Sequence, residues 1–231
     1  MTSMKTLLRI SVVACLACGC PLNALPQDTS AEGAENVFQV GLEQKREGHW
    51  RRVGSQTVFH EGDEVRFHFK TSLSGYLYVL NLSSDGQSAW LFPHAERGER
   101  SRVEPGSEYL VPGSKGEFVV AGKPGFDITY WIESPVPIDL SEVEGPAPGS
   151  QPNALVPRCR KEVLQARGLC EDERAGPQPL TSPEHSPVHL PDNTTLVARD
   201  LKFHTEAGST SISAPKTDGG VIVYEFRIAH N

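Results

Sequence analysis

The chain has 231 residues, 22% charged and 38% hydrophobic, with 29 acids against 22 lysines and arginines for a formal charge of −7. That length suits one domain with a sizeable insertion, or a domain with disordered tails. An acidic balance with no basic run argues against nucleic acid as a partner and against an electrostatic grip on anionic lipid. Residues 1–24 read as a secretory signal, with Lys5 and Arg9 as its basic start and Leu7 to Leu16 as a short apolar core. A bilayer span needs about 20 apolar residues, so this run is too short to be one. Two cleavage readings stay open. Leu22-Asn23-Ala24 is similar to an ordinary signal-peptidase site, whereas Ala17-Cys18-Gly19-Cys20 is similar to an imperfect lipobox with Cys20 as the lipidated residue. Loss of Lys5 and Arg9 with the signal leaves 20 basic against 29 acidic residues, a charge of −9 that serves solubility. The expected location is the bacterial periplasm or cell envelope, with membrane attachment only through lipidation, as an outer-membrane lipoprotein.

Residues 25–36 are expected to be flexible, and the strand pattern starts at 37. Phe38, Val40 and Leu42 alternate on one face. After a turn at His60-Glu61-Gly62-Asp63, Val65, Phe67 and Phe69 point one way and Arg66, His68 and Lys70 the other. Gly75 to Leu82 is apolar on both faces and rich in strand-favouring types, so it reads as a buried central strand. Ser83-Ser84-Asp85-Gly86 signals a hairpin into Ala89 to Phe92. A charged loop, His94 to Ser107, precedes Tyr109 to Pro112, and short strands follow at 117–121 and 127–133, the latter with Ile128, Tyr130 and Ile132 on one face. Residues 134–193 are rich in Pro, Gly, Ser and charge and should be mostly irregular, with one helix candidate from Arg158 to Arg167 bounded by Pro157 and Gly168. Toward the C-terminus Val197, Leu201 and Phe203 alternate, a Gly/Ser/Pro loop follows, and Ile222, Tyr224, Phe226 and Ile228 form one face of a strand over 221–230. These strands are too apolar to stand alone as a hairpin in water, so residues 194–231 are expected to complete a core begun by 37–133. The fold class is an all-β antiparallel sandwich, immunoglobulin-like or jelly-roll-like, with a Pro-rich irregular insertion at 134–193 and at most one short helix.

The run Phe59-x-x-Gly62-Asp63-x-Val65-Arg66-Phe67, then Gly75 to Asn81, Leu91-Phe92-Pro93, Tyr109-x-Val111-Pro112 and Ser134-Pro135-x-Pro137 resembles the bacterial domain of unknown function 4384 over about residues 37–137. That resemblance implies an exported or accessory domain with a binding or scaffolding role. It supplies no catalytic residue to carry over.

Two cysteines, Cys159 and Cys170, lie downstream of the signal. Export invites a disulfide. Eleven residues of helix would hold their Cα atoms roughly 16 Å apart, where a bridge needs about 4.4 to 6.8 Å. Either the bridge forms and the helix is short, or the helix runs and the thiols stay apart; the bridge is favoured. His185 and His189, beside Glu184 and Asp192, have metal-ligand spacing, but Pro183, Pro187 and Pro191 deny them a common helical face. Neither a metal nor another cofactor is expected. Gly113-Ser114-Lys115-Gly116 is a turn rather than a phosphate loop, and no nucleophile elbow occurs. The carboxylates Glu61, Asp63, Glu96, Glu99, Glu104 and Glu108 are scattered on turns, and nothing singles out a catalytic pair. Partner contact is expected from Trp50, Trp90, Arg97, Arg100 and Arg102. The reading is a non-catalytic envelope domain binding a protein or glycan. Its alternatives are a hydrolase of envelope polymers using loop carboxylates, and a purely structural lipoprotein domain.

Overall fold

A computed structural model of the protein describes residues 35–94, 100–113, 116–144, 155–180, 188–191, 194–206, 208–216 and 219–231. Cys20 and both cleavage readings lie outside the described residues, as do Glu96, Arg97, Glu99, Glu184, His185 and Asp192. In chain order the strands are β1 (Glu35–Arg46), β2 (His49–Val53), β3 (Val58–Phe59), β4 (Glu64–Thr71), β5 (Gly75–Leu82), β6 (Ser88–Phe92), β7 (Arg102–Val103), β8 (Glu108–Val111), β9 (Phe118–Val119) and β10 (Gly125–Ser134). The helix α1 (Lys161–Arg167) follows, then β11 (Gly176–Gln178), β12 (Leu196–Val197), β13 (Lys202–Glu206), β14 (Ser209–Pro215) and β15 (Val221–His230).

The strands make two sheets, as the alternation patterns require of a sandwich. The first runs β13-β14-β1-β4-β8, with β2 on β1 and β9 on β4. The second runs β11-β15-β10-β5-β6, with β3 and β12 on β15 and β7 on β5. Pairing is antiparallel except where β3 and β12 run parallel to β15. The facing surfaces bury Phe38, Val40, Leu42, Phe67 and Phe69 of the first sheet against Leu77, Val79, Trp131, Tyr224 and Phe226 of the second. Phe67 sits edge-on to both Trp131 and Phe226, with ring centroids 5.2 and 5.1 Å apart, the arrangement favoured by aromatic quadrupoles.

β5 is the buried strand its sequence implies. Leu77 and Val79 enter the core between the sheets, while Tyr78, Leu80 and Leu82 enter a second apolar cluster on the far side. Segments from the Pro-rich region cover that far side: Ile138, Leu140, Val143, Leu180, Val188 and Leu190 pack over Tyr130 and Ile132 of β10 and Val221 and Val223 of β15. A third, irregular layer therefore lies on the second sheet. Gly75 is required where β5 begins, because a Cβ there would run into the Ser134 carbonyl of β10.

Four expectations need correction. The Gly/Ser/Pro stretch between the last two expected strands is itself β14, paired with both β1 and β13. Its inward residues Thr210, Ile212 and Ala214 are buried, but Ser209, Ser211 and Ser213 on the other side mask the alternation. The strand expected over 117–121 is paired only at Phe118–Val119. β1 starts at Glu35, inside the segment expected to be flexible, because Glu35 and Asn36 pair with Pro215 and Ala214. His68 does lie on the outer side of β4, yet it is 5% exposed, since its ring occupies the space left by the missing side chain of Gly41. Burial first, and then the Arg52 charge, lower its pKa and keep the ring neutral.

Candidate functional site

The site begins at a polar residue in an apolar position. Gln44 continues the inward face of Phe38, Val40 and Leu42, pairs with Val65, and is 5% exposed. Its side-chain oxygen accepts a hydrogen bond from Arg46 Nε at 2.8 Å. An inward apolar residue would close the core here. Beside Gln44 lies a cleft of about 400 Å³, lined from β1 and β2 of the first sheet and β3 of the second. Residues 168–171 form its remaining wall.

That wall is held by covalent and polar links. A disulfide joins Cys159 and Cys170, with Cα atoms 4.7 Å apart. Of the two alternatives, the short helix accompanies the bridge. α1 begins at Lys161 rather than at residue 158 and ends at Gly168, whose φ of 66° is the left-handed conformation glycine accepts most readily. The Val58 amide donates to the Cys170 carbonyl at 2.9 Å and the Asp172 amide to the Gln56 carbonyl at 2.9 Å, tying the loop to the second sheet beside β3. Asp172, 3% exposed, fastens the loop to itself. Its carboxylate accepts from the Arg158 amide at 2.6 Å, from the Arg174 amide at 2.9 Å, and from the Arg174 guanidinium at 2.9 and 2.5 Å. Burial alone would raise this carboxyl's pKa; the hydrogen bonds from Arg174 and the two amides outweigh it and hold the pKa at about 2. The Arg174 guanidinium in turn lies 5.2 Å from the Phe126 ring centroid.

The cleft therefore has one rigid side, formed by the sheets, and one stapled side, formed by the loop. Arg46 lines it, and Gln44 is that guanidinium's only polar partner among the described residues. Asp63 and Glu171 bring carboxylates from different elements, and Val53, Val58 and Leu169 supply apolar surface. One oxygen of Asp63 is occupied by the His60 amide at 2.9 Å. The Cys170 sulfur is consumed in the bridge and cannot act as a nucleophile.

Residues singled out from sequence are spread over several regions. Trp50 lies half-buried on the outer side of the first sheet, with the Arg66 guanidinium 4.2 Å from its ring centroid. Trp90 belongs to β6 of the second sheet and packs against the apolar cluster under the covering layer. Arg100 is exposed, and Arg102 on β7 donates to Glu104 at 2.8 Å. The structure does not bring Trp50 and Trp90 together, since they sit on different sheets. His189 is described and pairs through its backbone with Glu144. No group of three or more His, Cys, Asp or Glu side chains among the described residues is arranged to hold a metal. Sequence reasoning missed Gln44, Arg46 and Glu171. The polar intrusion of Gln44 into an apolar alternation was the available signal.

A family model described as "Domain of unknown function (DUF4384)" matches residues 58–137. No curated protein and no solved structure matches the chain. The match begins at Val58 rather than near residue 37, so β1 and β2 fall outside it. The matched segment runs from β3 to just beyond β10 and is similar to that family over those residues.

Proposed function

We propose that this protein is an exported, non-catalytic binding domain of the bacterial cell envelope, and that its partner enters the cleft beside the disulfide-closed loop. The observation that carries this reading is the pairing of a preformed, mixed polar and apolar cleft with a wall fixed by a disulfide and a buried carboxylate. Sites of this volume with a few convergent polar groups are the usual form of small-ligand and peptide recognition. A structural disulfide persists in an oxidising compartment, which supports export. Rigid walls also cut the ordering cost of binding.

The test is site-specific photocrosslinking in envelope extracts. A photoreactive residue at Leu169, 44% exposed on the cleft wall, should capture a discrete partner. The same group at Val136, 56% exposed and outside the cleft, should not. Identical adducts from both positions, or none from Leu169, would overturn the proposal. So would release of soluble fragments from envelope polymers that is abolished by Asp63→Asn or Glu171→Gln, which would establish the hydrolase reading instead.

A further inference from the structure

The charges around the cleft are separated as well as mixed. On the sheet side Arg46 is exposed and, among the described residues, bonded only to a neutral amide, so its outer guanidinium nitrogens keep their capacity for an anionic partner, whereas Arg52 in the same lining already lies 3.6 Å from Glu108. On the loop side the Glu171 backbone is committed, its carbonyl accepting from the Arg160 amide at 2.7 Å. Its carboxylate has no hydrogen-bond or ion-pair partner among the described residues. Apolar surface from Val53 and Leu169 lies along the same cleft. Asp63 adds a second negative charge from the β3–β4 turn.

A simple anion would meet Arg46, with Arg52 partly engaged by Glu108, but would also face two carboxylates. A simple cation would meet the carboxylates but face Arg46 and Arg52. A neutral sugar would leave both charge types without ionic partners and would find no Trp, Tyr or Phe among the cleft residues. A ligand carrying a carboxylate at one end and an ammonium at the other satisfies both walls, and a short apolar segment between them covers Val53 and Leu169. A volume of about 400 Å³ accommodates a few amino-acid residues.

Resting on the reading of this cleft as the binding site, we propose that its ligand is a short zwitterionic peptide whose free carboxylate pairs with Arg46 and whose free amine pairs with Glu171. Arg46 supplies the planar fork suited to a carboxylate. Glu171, on the stapled loop, sets the distance at which the amine is received. The disulfide and Asp172 thereby fix a span between two charges.

The experiment uses the full oxidised chain and the tripeptide alanyl-leucyl-alanine, with its C-terminal amide and its N-acetyl form as paired controls. Binding is followed by calorimetry, and amide chemical shifts report the place. The free tripeptide should shift the resonances of Val58, Leu169 and Glu171, and each blocked form should bind about tenfold or more weakly, as expected for loss of one charge-assisted pair. Arg46→Gln should abolish the preference for the free carboxylate while leaving the preference for the free amine, and Glu171→Gln should do the reverse. Arg46 and Glu171 are outside the core, so the unfolding curves of these variants should match the parent. Equal affinity for the acid and its amide, no response at cleft resonances, or unchanged discrimination in both variants would overturn the proposal. If Leu169 captures an envelope partner while the tripeptides fail, the binding reading stands and the peptide assignment falls. If Leu169 captures nothing, the broader reading falls with it.

Discussion

Glu133 offers the clearest quantitative test of the fold. It lies on β10 with Thr129 and Trp131 facing the first sheet, and it is 0% exposed. Its nearest polar contact is Thr71, whose hydroxyl lies 3.5 Å from one carboxyl oxygen, and the other oxygen has no partner among the described residues. The Tyr224 hydroxyl is also buried without a partner among the described residues, and burial first and Glu133 second raise its pKa. Burial pushes the Glu133 pKa well above the ordinary 4.5, against a smaller opposing effect from Thr71. The folded protein therefore keeps a proton on Glu133 that the unfolded chain releases above pH 4.5. More protons bound in the folded state means that stability falls as pH rises from 4.5 toward the raised value, by about 1.4 kcal/mol for each unit. For a domain of this size that corresponds to roughly 3–6 °C in melting temperature per unit. Glu133→Gln preserves the shape and removes the ionisation, so its stability should lack this component of the slope. Urea unfolding of both proteins at pH 5, 6 and 7, with the disulfide intact, isolates the effect: histidines and surface pairs are common to both, so the difference between the two curves reports Glu133 alone. Parallel pH dependences would refute the buried, protonated carboxyl.

Other outcomes follow from the cleft wall and the central strand. Asp172→Asn should cost about 2 kcal/mol at neutral pH, from a pKa held at about 2 against the ordinary 3.8. This contribution is present above 3.8 and is lost as pH falls through about 2, opposite in sign to that of Glu133; faster hydrogen exchange at the Arg158 and Arg160 amides would show the loop loosening. Replacing both Cys159 and Cys170 by Ser opens a loop with a sequence separation of 11 and should lower stability by about 3 kcal/mol in urea unfolding. Gly75→Ala forces a Cβ against the Ser134 carbonyl and should cost about 1–3 kcal/mol, measured by the same assay.

Much of the fold was legible because periodicity reports burial directly. β4 and β5 fall on the residues where alternation and a doubly apolar run place them. For β10 the pattern was legible but its destination was not. Ile128, Tyr130 and Ile132 form the apolar face, yet they pack beneath the irregular covering layer. The face carrying Thr129, Trp131 and Glu133 enters the core between the sheets. Trp131 and Thr129 resolve that exchange locally: the indole N–H donates to the Thr129 hydroxyl at 3.0 Å, and that hydroxyl donates to the Phe226 carbonyl at 3.0 Å. Polar side chains can occupy a core face when their hydrogen bonds close, so alternation alone does not decide which side is inside. β14 was hidden for the opposite reason, since its buried side is built from small residues and its outer side from serines.

The cleft was the least legible feature because it is assembled from three separate parts of the chain. Val58, His60 and Asp63 lie within the DUF4384 match. Gln44 and Arg46 come from β1 before it, and Leu169, Cys170 and Glu171 come from the disulfide loop after it. The family segment contributes β3 and the adjoining turn, while the charges assigned to the two ends of a ligand, Arg46 and Glu171, stand on flanking elements. Those two elements reach the family segment by different means. β1 pairs with β4 over seven residues, from Phe38 opposite Thr71 to Gln44 opposite Val65. The loop is docked by the Val58 and Asp172 amides and closed by its own disulfide. On the proposed peptide-binding reading, specificity would change through Arg46 or the 168–171 loop while the sheet core stays the same. Replacing Leu169 and Glu171 together, with Cys170 kept, should change preference among the tripeptides without altering the Glu133 pH slope; loss of both together would show that the cleft and core are one energetic unit.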